Sequence, residues 1–342
     1  MGARTTWTRR GLLLGALGVG ATATLQLAGS GRATAAALPP LLVGDQKSRR
    51  VFLLDSATAT WDPSADPAPV RWEFTPEGDS RYSDLDPGRS WTYVSEVKCR
   101  TWQGKTYLLT TASYGFAAVV EYPGKNRYWA ARVTDAAGTE LANPHSIELL
   151  PGGNVAVALS GSNEVRLYAA SRSPYATEFT SVPLTSAHGV HWDPATEMLW
   201  AVGHGQLAAY TLSGPASEQT LVRSYVIDLP ELRPGRAPGG HDLNAVAGEP
   251  DLFWVSTTDG LLQYSKSRRQ FAPYTASSCA GTLANVKAVS NVGRTVALTA
   301  PDGGLDREWW TRSVRVDNGS VPAHTLGGAA YGGIYKARWW QP

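Results

Sequence analysis

The chain has 342 residues, 43% of them hydrophobic, with 31 Lys+Arg against 29 Asp+Glu. A net charge of +2 and the lack of a basic run interleaved with aromatics argue against nucleic acid as a partner. Two cysteines, Cys99 and Cys279, are too few for a disulfide framework in a protein of this size, and the sequence leaves their pairing open.

Residues 1–37 carry Thr8, Arg9 and Arg10, then a Gly/Ala/Leu stretch from Gly11 to Ala28, then Ala33-Thr34-Ala35. A basic start, a weak apolar stretch and a small-residue cleavage site are the pattern of a twin-arginine signal peptide. A stable membrane span would need roughly 20 strongly apolar residues, so retention as an anchor is the poorer reading. The protein is therefore expected outside the cytoplasm as residues 38–342, a single domain without stable membrane insertion, and as a monomer. Pro39 and Pro40 mark the start of the folded part.

A domain of this length around one core suggests repeats. Short strands are expected first at Leu41–Gly44, Val51–Asp55 and Val70–Phe74. Five segments then repeat one phrase: a polar head, an apolar run, a turn at Gly, Pro or Asn, and a second apolar run. They begin at Ser95, Pro144, Ala187, Gly240 and Asn285, roughly 40 to 55 residues apart. A third strand follows most copies, at Ala117–Tyr122, Glu164–Tyr168, Gln206–Tyr210 and Leu261–Tyr264, and a fourth fits at Tyr225–Leu229. Four short strands per repeat without helical periodicity define an all-β fold, a six-bladed β-propeller. The sixth blade lacks an innermost strand near the start of the chain. The C-terminal segment Gly333–Trp340 supplies it and closes the ring, which removes an aggregation-prone edge.

Innermost strands surround the central channel, so the polar heads of the repeats converge there. They are Lys336, Lys98, His145, His188, His241 and Lys287. The chain has 24 arginines but only seven lysines, and three of those seven, with three of its six histidines, fall at this one place. The plain alternative is a shared structural phrase in which the histidine bonds to backbone. Hairpin lengths also differ, and a one-residue slip turns a strand side chain to the other face.

Three neutral imidazoles around a point suit a divalent metal such as Mn, Zn or Ca, so His145, His188 and His241 are the candidate metal ligands. Lys98, Lys287 and Lys336 would attract an anion shared with the metal and are the candidate catalytic proton acceptors. Trp309 and Trp310 offer ring-stacking faces and Arg89 a carboxylate fork, the candidate substrate-binding residues. Packing between blades accounts equally well for the two tryptophans, and turn formation accounts better for Asp84 and Asp86 near Tyr82. His191, His204 and His324 have no repeated counterpart and are expected to be structural.

The twin-arginine start, Ser-Glu-Val-Lys at Ser95, Asn-Pro-His-Ser-Ile-Glu-Leu-Leu-Pro-Gly-Gly-Asn at Asn143, Ala-His-Gly-Val-His-Trp-Asp at Ala187, Gly-Gly-His-Asp-Leu at Gly239 and Tyr-Lys-Ala-Arg-Trp at Tyr335 resemble a family. It comprises exported six-bladed propellers, common in actinobacteria, grouped as a domain of unknown function. The likeness covers nearly the whole chain after the signal segment and implies fold and export but no activity. The histidine funnel is more loosely similar to that of oligogalacturonate lyases, propellers that hold a divalent metal and eliminate across a uronate; neither their motifs nor their blade number match here. Folds host many functions. The expectation is a secreted, metal-dependent carbohydrate-active enzyme, most plausibly a lyase on an acidic glycan. The alternatives are a non-catalytic propeller that binds an anionic glycan or cell-wall ligand, and a purely structural scaffold without metal.

Overall fold

Turn chemistry divides the chain into short antiparallel strands. Between Trp102 and Lys105 the two-residue loop Gln103-Gly104 has φ of 48° and 75°. Positive φ at both positions matches the right-handed twist of the flanking strands and returns the chain at once. Such turns, with β-branched and aromatic runs between them, build six sheets. We describe them from a computed structural model that covers residues 37–275, 283–317 and 323–342. The amino-terminal segment with its paired arginines, and Cys279, lie outside the described residues.

Residues Ala37–Pro342 form one compact unit. From channel to rim, blade 1 consists of Ile334–Trp339, Leu41–Asp45, Arg50–Leu54 and Val70–Phe74. Blade 2 runs Val94–Trp102, Lys105–Ala112, Phe116–Tyr122 and Asn126–Arg132, and blade 3 Pro144–Leu149, Val155–Leu159, Glu164–Tyr168 and Phe179–Pro183. Blade 4 is Gly189–Asp193, Met198–Val202, Gln206–Ser213 and Thr220–Asp228, and blade 5 Asp242–Ala245, Leu252–Ser256, Leu261–Ser265 and Gln270–Pro273. Blade 6 is Ala288–Val292, Thr295–Thr299, Ser313–Asp317 and His324–Leu326. The six-bladed all-β architecture and the repeat phrases are thus as the sequence indicates.

The C-terminal strand closes the ring. It pairs antiparallel with Leu41–Asp45, setting Trp339 opposite Leu41 and Lys336 opposite Gly44. The sequence did not indicate a second stitch at the same seam: Thr60–Trp61, from a blade 1 connection, pairs parallel with His324–Leu326 of blade 6.

Each of the six seams between neighbouring blades holds its own apolar cluster. Blades 1 and 2 share Phe74, Trp91 and Phe116, blades 2 and 3 share Trp129, Ile147 and Tyr168, and blades 6 and 1 share Trp61, Ile334 and Trp339. The core is therefore a ring of nearest-neighbour interfaces, and every blade needs both neighbours. Among the described residues no helix is long and apolar enough to cross a membrane.

Candidate functional site

Inner strands begin at one face of the ring, and the residue at each beginning faces the channel mouth. His145 is the second residue of the inner strand of blade 3, while His188, His241 and Lys287 immediately precede those of blades 4, 5 and 6. The structure brings these four together. The rings of His145 and His188 stack at 4.4 Å between centroids, and His188 meets His241 edge-on at 5.3 Å. Lys287 Nζ lies 3.2 Å from His241 Nε2 and donates to Asn285 Oδ1 at 2.6 Å.

Lys98 and Lys336 stand deeper. Lys336 is level with Glu96 and Asp242, whose carboxylates accept from its ammonium at 3.1 and 3.2 Å. Lys98 lies alongside, donating to Ser146 Oγ at 2.9 Å and to the Val190 carbonyl, with Glu96 and Glu148 at 3.5 and 3.9 Å. Inner strands of unequal hairpins differ in register, and alternation sends Glu96, Lys98 and Arg100 to the channel on one strand. The head positions matching His145 on blades 1 and 2 are accordingly not the two lysines. Tyr335 stands at that level on blade 1, its ring 6.0 Å from that of His145.

Below the histidines the channel is filled by charge. Arg338 uses all five of its N–H groups: Nη1 donates to Asp242 Oδ2 (2.9 Å) and the Val289 carbonyl (2.9 Å), Nη2 to Asp242 Oδ1 (2.6 Å) and Glu96 Oε1 (3.1 Å), and Nε to the Val97 carbonyl (3.2 Å). Arg100 grips Glu148 with two bonds of 2.7 and 2.6 Å, and His191 lies beside it. Glu96, although buried, is held far below the usual carboxylate range by Lys336, Arg338 and Lys98. Burial lowers Lys98 to about 8 even with Glu96 and Glu148 beside it.

Above this layer opens a cavity of about 450 Å3. His145 and Lys287 line its floor together with Tyr335, and Tyr93, Tyr114 and Trp309 form an aromatic wall beside Gln46. His188 stands behind His145, and His241 behind Lys287. Gln46 organises the wall: its Nε2 donates to the Val94 carbonyl, while its Oε1 accepts from both Trp309 Nε1 (2.9 Å) and Trp310 Nε1 (2.6 Å). Trp309 presents a partly exposed face to the cavity, whereas Trp310 is buried beneath it. Arg89 points its guanidinium at Glu140, 2.6 and 2.9 Å away, so it is Glu140 that reaches the cavity rim.

The imidazoles are kept neutral. Burial lowers all three, helped by Lys287 and Lys336 and, for His145 and His241, by the neighbouring histidines. His188 falls to about 4, against the opposing pull of the Ser186 carbonyl, which accepts from its Nδ1 at 2.8 Å. That bond sets the His188 tautomer and leaves Nε2 as a lone pair. Lys287 is lowered to about 8 by burial and by Lys336; the charge that acts most on it is another cation. Burial and the carboxylates of Asp242 and Glu96 push the Tyr335 hydroxyl up, so it stays protonated.

As the rings stand, the stacked pair His145 and His188 does not aim its in-plane lone pairs at one centre. Among the described residues no group of three or more His, Cys, Asp or Glu side chains is arranged to hold a metal. Two ring nitrogens, His145 Nδ1 and His241 Nδ1, are nevertheless buried without a hydrogen-bond partner.

Several site residues escape a sequence reading. Gln46, Tyr93, Tyr114 and Glu140 lie in connections that no periodicity links, and Tyr335 sits one residue before the lysine that the repeated phrase picks out on blade 1. His204 lies exposed in the turn between Val202 and Gln206, close enough to His188 and His241 for its charge to lower both. Its position, one turn away from a repeat head in the same blade, is the signal that could have placed it at the rim. His324 stacks on Trp61 at 5.0 Å, and His191 sits in the charged layer; both are packed in the interior.

The molecule is thus a six-bladed propeller whose channel is plugged by charge and whose funnel above the plug carries histidines, a lysine and an aromatic wall. It belongs to DUF6528, a family of unknown function, whose model matches residues 86–341. No curated protein matches the chain. A protein of unknown function from Bacteroides caccae superposes with a TM-score of 0.54 at 10% identity, covering 88% of this chain and 98% of that one, a likeness of fold alone. A streptogramin B lyase aligns with a TM-score of 0.45 at 11% identity over 69% and 70% of the two chains. Virginiamycin B lyase from Staphylococcus aureus aligns with a TM-score of 0.42 at 10% identity over 70% and 86%.

Proposed function

We propose that the funnel binds a small anionic ligand carrying a ring, of the class of an acidic sugar or the acidic unit of a glycan. One observation carries this reading: Lys287, a buried cation on the cavity floor whose side-chain partners are an amide and a neutral imidazole. Every other cation of the channel beneath it, Lys98, Lys336, Arg338 and Arg100, faces carboxylates. A buried ammonium left without a counter-charge is costly, and an incoming carboxylate would relieve that cost. Trp309, Tyr93 and Tyr114 provide apolar faces at the height where a sugar ring would sit.

A second reading is favoured by the partnerless nitrogens of His145 and His241. If His145 turned out of its stack, the three imidazoles would hold a divalent metal, and the same floor would perform elimination on a uronate. The metal would neutralise the carboxylate. Lys287, in its neutral amine form, would take the proton beside that carboxylate and become the ammonium, while water or Tyr335 would give a proton to the departing oxygen, which balances the step. Lys98 and Lys336, engaged with carboxylates below, serve there as structural charge.

Calorimetry separates the two. Glucuronate is expected to bind and glucose not, with Lys287→Met weakening glucuronate at least tenfold, about 1.4 kcal/mol. Should binding instead require added Mn2+, vanish in His188→Ala and yield unsaturated product from uronate polymers, the metal reading displaces the first. No heat with any acidic sugar, with or without metal, would remove both.

We also propose that the protein works outside the cytoplasm after twin-arginine export. The sequence motif Thr8-Arg9-Arg10 supports this. Mass spectrometry of the protein from the culture medium should find a chain that begins near residue 38, without the paired arginines; an intact, cell-retained Met1 form would contradict it.

A further inference from the structure

The ionic layer under the funnel has a consequence for the shape of what can bind. A propeller channel can in principle run from face to face. Here Glu96, Lys98, Asp242, Lys336 and Arg338 fill it, with side chains 0–5% exposed. A second, smaller cavity of about 150 Å3 opens below, lined by Lys98, Arg100, His191 and Arg338 among others, and it shares no lining residue with the upper one. The two mouths are therefore separated by a closed, hydrogen-bonded plug, and opening it would strand buried charges.

We infer that the funnel is a blind pocket that recognises the terminal acidic residue of a chain, and never its interior. This rests on the anionic-ligand reading and narrows it. The cation that attracts the acid group, Lys287, lies on the floor, so the carboxylate must descend to the bottom. A mid-chain unit would need exits for two continuing segments, and the plug removes one of them. The cavity, at about 450 Å3, is near the lower end of the range for small-molecule sites, room for a terminal unit and little more. Exposed Leu141 and Tyr114 at the rim, 73% and 41% accessible, lie where the rest of a chain would emerge.

The test uses the full propeller and a uronate series: glucuronate itself, then an acidic dimer, a tetramer and a long polymer. An end-reading funnel predicts one protein bound per polymer chain whatever its length, affinities within about threefold per chain end across the series, and full competition by glucuronate. A methyl ester on the terminal unit alone should abolish binding. If the number of proteins bound per chain instead rises with length, and glucuronate fails to compete, terminal recognition is wrong while the anionic-ligand reading stands. If no member binds, including glucuronate, the functional reading itself fails and this inference with it.

Discussion

Deleting residues 333–342 should abolish cooperative folding. The segment is the innermost strand of blade 1, pairing along its length with Leu41–Asp45. Its loss removes Ile334, Ala337 and Trp339 from the cluster between blades 6 and 1, where they pack against Leu41, Phe52 and Val314. Truncation of one large buried side chain alone costs about 3–5 kcal/mol, and whole domains are stable by only about 5–15 kcal/mol. The same deletion removes Lys336 and Arg338, the partners of Glu96 and Asp242, leaving two carboxylates buried without them. Urea unfolding followed by circular dichroism should show one cooperative transition in the intact protein and none in the shortened one. An unchanged transition would mean that the stitch between Thr60–Trp61 and His324–Leu326 closes the ring unaided.

Arg338→Met should destabilise the protein by about 3–5 kcal/mol, because it breaks a buried ionic network while leaving its acids in place. Methionine fills much of the space but supplies none of the five donors. Lys336 reaches one oxygen of each acid, Glu96 Oε2 and Asp242 Oδ1, so Glu96 Oε1 and Asp242 Oδ2 lose their guanidinium contact. The network also sets the acid limit of stability. The folded-state pKa of Glu96 is depressed below its unfolded value of about 4.3, so its contribution is complete above that pH and is lost as the pH falls. The urea midpoint of the native protein should fall already between about pH 7 and 5, where the buried neutral histidines take up protons only on unfolding, and fall further below about pH 4 as Glu96 adds its share. In Arg338→Met the part of the acid drop that comes from Glu96 should be smaller, since Lys336 and Lys98 alone then hold its carboxylate down and its folded-state pKa lies nearer the unfolded value. A loss below about 1 kcal/mol in the variant would show that Lys336 alone neutralises both acids.

Fold and site were legible to different degrees. The hairpin phrase shows in sequence because each inner and second strand must alternate with the pleat and turn at Gly, Asn or Pro. Elements such as Glu164–Tyr168 and Val70–Phe74 lie where the pattern puts them. The convergence of His145, His188, His241 and Lys287 is likewise a property of equal positions on successive blades. Lys98 and Lys336 match the phrase by eye, yet they sit a level lower. Register depends on hydrogen bonds between strands, and a chain of letters carries no depth coordinate. Arg89 and Trp310 look like surface ligands from their neighbours in sequence. Partners far along the chain claim them: Glu140 for Arg89, and Gln46 for Trp310.

The sequence by itself determined the six-bladed ring, its closure by the last strand and the gathering of histidines at one mouth, because all three follow from a repeated local pattern. Only the tertiary structure decided that the channel is plugged, that Lys287 alone of the three lysines faces the cavity, and that the wall is built from Gln46, Tyr93, Tyr114 and Trp309. Those features depend on side chains from different blades meeting across the axis, where ion pairing and burial, rather than local propensity, select the arrangement.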